Sequence, residues 1–81
     1  MRVTVRLFAR LRELVGATEL EREVPVGATV STVWGGLVGD YPAIAAYAAS
    51  MSCAVNIEYA RMTTTLHDGD EVAFLPPVSG G

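Results

Sequence analysis

Near the start of the sequence is a stretch in which apolar and polar side chains alternate, Arg2-Val3-Thr4-Val5-Arg6-Leu7-Phe8. Successive side chains of a β-strand point to opposite faces, so this pattern places Val3, Val5 and Leu7 together on one face. A second stretch of this kind, Glu71-Val72-Ala73-Phe74-Leu75, lies near the end of the sequence. The two stretches predict a first and a last strand, each with one face on a core.

Between these strands the apolar spacing changes from two to three or four residues. From Ala9 to Val15 it predicts one or two helical turns, with Gly16 able to cap their end. A longer helix, preceded by Thr29 as a possible N-cap, is predicted from apolar residues at helical spacing. These residues are Val30, Val33, Trp34, Leu37, Val38 and Tyr41.

The remaining segments are shorter and complete the predicted sheet. A second strand has Leu20, Val24 and Val26 on its core side, where Arg22 must reach solvent or an acid. After Pro42, residues 43–50 predict a short helix that buries Ile44, Tyr47 and Ala48. A strand that buries Cys53, Val55 and Ile57 follows, then a short edge strand within Arg61–Leu66 and a turn at His67-Asp68-Gly69-Asp70.

The order strand, strand, helix, strands predicts an α+β fold of the ubiquitin-like β-grasp type. One main helix crosses one face of a mixed sheet, and the first and last strands lie side by side in parallel at its centre. We expect a single domain over residues 1–75 and a flexible tail over residues 76–81, since 81 residues leave no room for a second core.

Composition excludes several classes of function. A net charge of −3, with six arginines and no lysine, argues against a nucleic-acid binder. The longest apolar stretch, Ala43 to Ala49, is too short to cross a membrane, and Arg2 and Arg6 interrupt any signal region, so we expect a cytoplasmic protein. One cysteine and one histidine are too few for a zinc site, and we expect no bound metal or cofactor.

The last six residues, Pro76-Pro77-Val78-Ser79-Gly80-Gly81, suggest a reactive tail. Fully extended, they reach about 20 Å beyond the last strand, and Gly80 and Gly81 lack the side chains that a narrow channel would exclude. The Gly81 carboxylate is ionised at neutral pH and can attack the α-phosphate of ATP. The resulting acyl-adenylate can pass to a sulfur nucleophile, a thioester or an amine. The alternative is an ordinary frayed terminus.

Four segments together resemble the molybdopterin synthase small subunit, a ubiquitin-like sulfur carrier. They are Leu7-Phe8-Ala9-Arg10-Leu11-Arg12-Glu13-Leu14, Val55-Asn56-Ile57-Glu58-Tyr59, Asp68-Gly69-Asp70-Glu71-Val72-Ala73-Phe74 and Pro76-Pro77-Val78-Ser79-Gly80-Gly81. The resemblance implies that an E1-like activating enzyme uses ATP to adenylate Gly81, which then becomes a thiocarboxylate. Val78, Ser79 and Gly80 would thread the partner's active site. The chain would not be catalytic alone.

In that family the small subunit donates its sulfur within a complex with the large, catalytic subunit, where precursor Z becomes molybdopterin. The resemblance therefore implies a hetero-oligomer, a heterotetramer with the large subunit. Three alternatives stay open: sulfur carriage for thiamine, cysteine or tungsten-cofactor synthesis, a ubiquitin-like protein modifier, and a β-grasp binding module with no reactive terminus.

Phe8 and Leu75 end neighbouring predicted strands and have the parity opposite to the core, so we expect them to be exposed together, with Tyr59 extending the patch. Clustered apolar surface of this kind predicts a partner contact. The alternative is that the aromatic ring of Phe8 or of Tyr59 folds over an edge of the sheet. Cys53 could suggest a persulfide relay, but its parity predicts a core residue.

Other notable side chains are interpreted structurally. His67 is expected at the surface and Trp34 in the core. Glu19, Glu21 and Glu23 form a solvated strand face that could also meet a basic partner.

Overall fold

The structure, a computed structural model, describes residues 1–77. The elements are, in chain order, β1 (Arg2–Leu7), α1 (Ala9–Val15), β2 (Glu19–Glu23), α2 (Val30–Asp40), a 3-10 helix (Pro42–Tyr47), β3 (Ser52–Val55), β4 (Glu58–Ala60) and β5 (Glu71–Leu75). The strands form one sheet in the order β2-β1-β5-β3-β4. β1 and β5 pair in parallel, and the other neighbours are antiparallel. The predicted β-grasp arrangement, with its first and last strands side by side, is confirmed.

The core lies between one face of the sheet and α2. Val5, Val72 and Phe74 from the central strands are fully buried there, together with Val30 and Leu37 of the helix. The rings of Trp34 and Phe74 pack with their centroids 5.1 Å apart, which joins the helix directly to β5. Each such side chain stabilises the fold by about 1.5–3 kcal/mol through its burial. Trp34 is therefore a core residue, as predicted.

Local signals in the sequence set the ends of both α-helices. Gly16 follows α1 with φ 84°, and its N–H donates to the carbonyl of Arg12 at 2.8 Å. At the start of α2, Thr29 is the N-cap and its N–H donates to the Thr32 hydroxyl at 3.1 Å. These contacts satisfy polar groups that a helix end leaves without an internal partner.

Arg22 was predicted to reach either solvent or an acidic side chain, and it pairs with an acidic side chain. Its Nη1 lies 2.5 Å from the Oδ2 of Asp40, the last residue of α2. The Arg22 side chain is only partly exposed but Asp40 is largely exposed, so solvent still screens the pair. It connects the end of the main helix to an edge strand of the sheet.

The strand predicted to bury Ile57 ends earlier, at Val55. Asn56 and Ile57 have φ of 51° and 74°, and these positive values reverse the chain into β4 through a two-residue turn. Ile57 is therefore 91% exposed, and the prediction that it is buried is wrong. Glu58–Ala60 forms the edge strand instead of the predicted Arg61–Leu66.

Two further burial predictions are wrong for similar local reasons. Val26, expected on the core side of β2, lies beyond the end of that strand in the connection to α2 and is 90% exposed. The predicted helix after Pro42 is a 3-10 helix that buries Ile44, but it ends at Tyr47, and Ala48 is exposed. The three-residue period of a 3-10 helix does not hold Ile44 and Ala48 on one side.

No helix within residues 1–77 combines the length and the apolar character needed to cross a bilayer.

Candidate functional site

The outer face of the sheet, opposite α2, carries a shallow groove of ≈ 380 Å³. Side chains from four strands and from the β3–β4 turn form its walls and floor. They are Arg6, Phe8, Ala54, Ile57, Tyr59, Glu71, Ala73 and Leu75. The period-two alternation of β1 and β5 explains this composition, because the residues between the core positions must point to this face. The groove is open between the larger side chains because Ala54 of β3 and Ala73 of β5 are small.

The structure brings Phe8, Tyr59 and Leu75 together in this groove, where the sequence had placed them on geometric grounds. Phe8 is 38% exposed and Tyr59 is 85% exposed, while Leu75 is half-buried. Tyr59 lies within the edge strand β4, opposite Ala54, and not beyond a strand end as expected. Their contact with a partner stays a prediction.

Ile57 is a lining residue that the sequence analysis placed in the core instead. The alternation of Cys53, Val55 and Ile57 suggested one continuous strand, whereas the chain turns after Val55 and presents Ile57 at the groove. The available signal was Asn56, because asparagine tolerates positive φ and favours tight hairpin turns.

Charged side chains extend from the groove, where Arg6 and Glu71 lie, across the outer face to β2. Arg6 lies between two carboxylates, 3.9 Å from Glu19 and 3.7 Å from Glu71, and so joins β1 to both of its neighbours. Arg2 pairs with two glutamates of β2 alone, Glu21 at 3.8 Å and Glu23 at 3.1 Å. These pairs are largely exposed, and each is worth at most about 1 kcal/mol. The glutamates of β2 are therefore a solvated face, partly neutralised by the two arginines.

Asn56 fixes the β3–β4 turn to the start of β5. Its Nδ2 donates to Asp70 Oδ1 at 2.9 Å, and its Oδ1 accepts from the Glu71 N–H at 3.0 Å. The Asn56 N–H also donates to the Glu71 carbonyl at 2.8 Å. Three hydrogen bonds of Asn56 thus connect the side of the groove that carries Ile57 to Glu71 of the central strand and to Asp70 just before it.

Asp70 is the other half of this connection. Its Oδ2 accepts from the His67 N–H at 2.7 Å, which closes the predicted turn around Gly69, whose φ is 85°. The hydrogen bond from Asn56 lowers the pKa of the Asp70 carboxyl, the His67 N–H and the nearby imidazole lower it further, and partial burial opposes them. Asp70 therefore stays ionised and keeps accepting both hydrogen bonds over a wide pH range.

Cys53 lies in the core and makes no contribution to the groove. Burial raises the pKa of its thiol, and its Sγ donates to the Ala60 carbonyl at 3.3 Å. A protonated, buried thiol is a poor nucleophile, so its position favours the structural interpretation over a persulfide relay. His67 is exposed, as expected, with its Nδ1 3.8 Å from Asp70. Within residues 1–77, no three His, Cys, Asp or Glu side chains lie together as a metal site requires.

β5 ends at the groove. Leu75 is both a groove residue and the last residue of β5, and Pro76 and Pro77 follow it directly. The predicted roles of Val78, Ser79, Gly80 and Gly81 concern residues outside the described part of the chain. The groove is therefore the surface closest along the chain to the predicted reactive end.

A mixed sheet with parallel first and last strands and one main helix packed on one face defines the ubiquitin-like β-grasp class. Residues 5–81 match the ThiS family model. The chain belongs to this family.

Individual relatives cover almost the whole chain. The molybdopterin synthase sulfur carrier subunit of Escherichia coli is 40% identical over 83 residues, covering 98% of this chain and 99% of that protein. The crystal structure of small archaeal modifier protein 1 from Haloferax volcanii is 31% identical and covers 100% of both chains with a TM-score of 0.87. A putative molybdopterin converting factor, subunit 1, from Pyrococcus furiosus is 34% identical, with a TM-score of 0.86, covering 96% of this chain and 99% of its own.

Proposed function

We propose that this protein is the sulfur carrier of molybdopterin synthesis, with Gly81 as the residue that carries the sulfur. The observation that best supports the proposal is the full-length similarity to molybdopterin synthase sulfur carrier subunits at 35–40% identity. The sequence adds the terminal Gly80-Gly81, and the groove beside Leu75 adds a surface at the base of the tail. The chain supplies a substrate group and no catalytic machinery of its own.

The proposed chemistry begins at the Gly81 carboxylate. One carboxylate oxygen attacks the α-phosphate of ATP in the active site of an E1-like enzyme, and pyrophosphate leaves. A sulfide-level sulfur nucleophile then attacks the carbonyl carbon of the acyl-adenylate, and AMP leaves. Because Gly81 has no Cβ, this carbonyl is open to attack. The product is a C-terminal thiocarboxylate, and the chain itself binds no cofactor.

The thiocarboxylate would then enter the large, catalytic subunit of molybdopterin synthase. Val78, Ser79 and Gly80 thread the active site there, and sulfur transfer converts precursor Z to molybdopterin. We propose that Phe8, Tyr59 and Leu75 form the contact with this subunit, in a heterotetramer. We place the cycle in the cytoplasm, where ATP is available, and treat residues 76–81 as a tail separate from the domain.

Intact mass spectrometry tests the sulfur-carrying step. The full-length protein is incubated with the activating enzyme, ATP and a sulfur donor, and its mass should rise by the exchange of one oxygen for one sulfur. Deletion of Gly81, or addition of one residue after it, should abolish both the mass change and molybdopterin formation with the large subunit and precursor Z. Unchanged sulfur incorporation after Gly81 deletion would show that the proposal is wrong.

A second candidate is a protein modifier, favoured by the structural similarity to the Haloferax protein named as one. The route to the adenylate is the same, but the acyl group passes to an amine of a target protein. With no lysine in the sequence, the protein cannot form lysine-linked chains of itself. Affinity capture separates the candidates, since conjugates on target lysines indicate a modifier and a stable complex with a synthase large subunit indicates the carrier.

A further inference from the structure

Ile57 occupies a position that its side chain makes unfavourable. Its φ of 74° lies in the left-handed region, where a β-branched residue is strained, and the second central position of a two-residue hairpin turn with positive φ favours glycine. Its side chain is 91% exposed, so burial returns almost nothing for this strain. The folded domain would be at least as stable without isoleucine here.

The turn holds Ile57 in one place on the groove. Asn56 is connected to Asp70 and Glu71 by two side-chain hydrogen bonds of 2.9 and 3.0 Å, and Val55 pairs with Glu58 across the turn. Ile57 lines the same groove as Tyr59. An exposed apolar side chain on a backbone held in this way is pre-organised for binding, because little backbone freedom remains to be lost on contact.

We infer that Ile57 is a binding residue for the large, catalytic subunit, at the end of the groove opposite the tail. The inference rests on the proposed function. The tail favours this occupant, because under the proposed function the large subunit takes Gly81 into its active site and must then lie within about 20 Å of Leu75, which lines the groove. Ile57 follows Val55, which pairs with Val72 at the start of β5. A partner that covers the groove from Leu75 back to Glu71, the end where Ile57 lies, has a footprint about 13 Å long along β5 at about 3.3 Å per residue.

The test measures affinity of full-length variants for the purified large subunit by isothermal titration calorimetry, with thermal unfolding of each variant in parallel. Ile57→Asn keeps a residue that tolerates positive φ and removes the apolar contact. Val26→Asn is the matched control, because Val26 is also a 90% exposed aliphatic residue and does not line the groove. Phe8→Ala reports whether the groove is used at all.

We expect Ile57→Asn to weaken binding to the large subunit about tenfold without lowering the melting temperature. A loss of this size is typical of the minority of interface residues that contribute most to affinity. Val26→Asn should leave affinity within about twofold of the unchanged protein. A residue with only a structural role would instead lower the melting temperature and leave affinity unchanged.

If Phe8→Ala weakens binding and Ile57→Asn does not, the inference is wrong and the proposed function stands. If the unchanged protein does not bind the large subunit, both fail. If Ile57→Asn weakens binding to the activating enzyme alone, the assignment of Ile57 to the large subunit is wrong.

Discussion

Replacement of Asn56 by alanine tests the connection between the β3–β4 turn and β5. The substitution removes two side-chain hydrogen bonds, to Asp70 and from the Glu71 N–H, and places alanine at φ 51°. Both hydrogen bonds are solvent-exposed, so each contributes about 0.5 kcal/mol, at the low end of the usual range. The left-handed backbone costs alanine about 1 kcal/mol more. We expect the free energy of unfolding to fall by about 2 kcal/mol.

Urea unfolding followed by Trp34 fluorescence gives this free energy, because Trp34 packs against Phe74 only in the folded domain. In a domain of this size, 2 kcal/mol corresponds to a fall in melting temperature of about 8–16 °C. Asn56→Gly loses the same hydrogen bonds but accepts the backbone conformation, so it should cost only about 1 kcal/mol. Ser52→Ala, on the exposed side of β3, is the control and should change stability by less than about 0.5 kcal/mol.

The comparison between the two Asn56 variants decides the outcome. If alanine costs no more than glycine, positive φ does not contribute, and the turn described here is wrong. If both variants unfold like the Ser52→Ala control, the hydrogen bonds to β5 contribute nothing, and the rigid support inferred for Ile57 is lost with them.

Four further predictions concern acid stability, packing, the thiol and the main helix. Because the folded-state pKa of Asp70 is lowered, the ionised carboxylate contributes its full stabilisation above the unfolded pKa of about 3.9 and loses it as pH falls through the lower folded pKa. Urea unfolding between pH 7 and pH 2 should therefore show a shallower fall in the free energy of unfolding for Asp70→Asn than for the unchanged protein. Phe74→Ala removes the fully buried ring against Trp34 and should cost about 3–5 kcal/mol by urea unfolding, so a loss below about 1 kcal/mol would contradict the packing. Intact mass spectrometry should show unchanged thiocarboxylate formation in Cys53→Ala. Loss of thiocarboxylate formation in this variant would assign the sulfur to the Cys53 thiol. Gly36→Ala should raise the melting temperature by adding about 0.5–1 kcal/mol, because a Cβ there meets no atom within 4 Å, and a lower value would show a hidden contact.

The regular parts of this fold were predictable because each follows from one local pattern. Alternation placed Val5 and Phe74 inside and Phe8 and Leu75 outside, and the helical period placed Trp34 in the core. The pairing of β1 with β5 followed from the order of the elements. These patterns depend only on strand and helix periods, which tertiary packing did not override.

The turn at Asn56 and Ile57 was not predictable from periodicity. An alternation that continues through a two-residue turn looks the same as an uninterrupted strand, and the isoleucine contradicts the usual preference of such turns for glycine. The error placed Ile57 in the core and the edge strand within Arg61–Leu66, whereas Ile57 lies on the outer face and the edge strand is Glu58–Ala60. The Asn56–Asp70 hydrogen bond joins positions fourteen apart, so only the folded chain shows it.

The central position of β5 has a mechanical consequence. β5 is hydrogen-bonded to β1 on one side and to β3 on the other, and the tail continues directly from its end. A pull on the tail along the strand therefore loads both ladders in shear, so their hydrogen bonds must yield together instead of opening one at a time. An edge strand in this place would load one ladder only. Under the proposed function the terminus is drawn into one protein, withdrawn and presented to another, and it is anchored throughout to a strand that is paired on both sides.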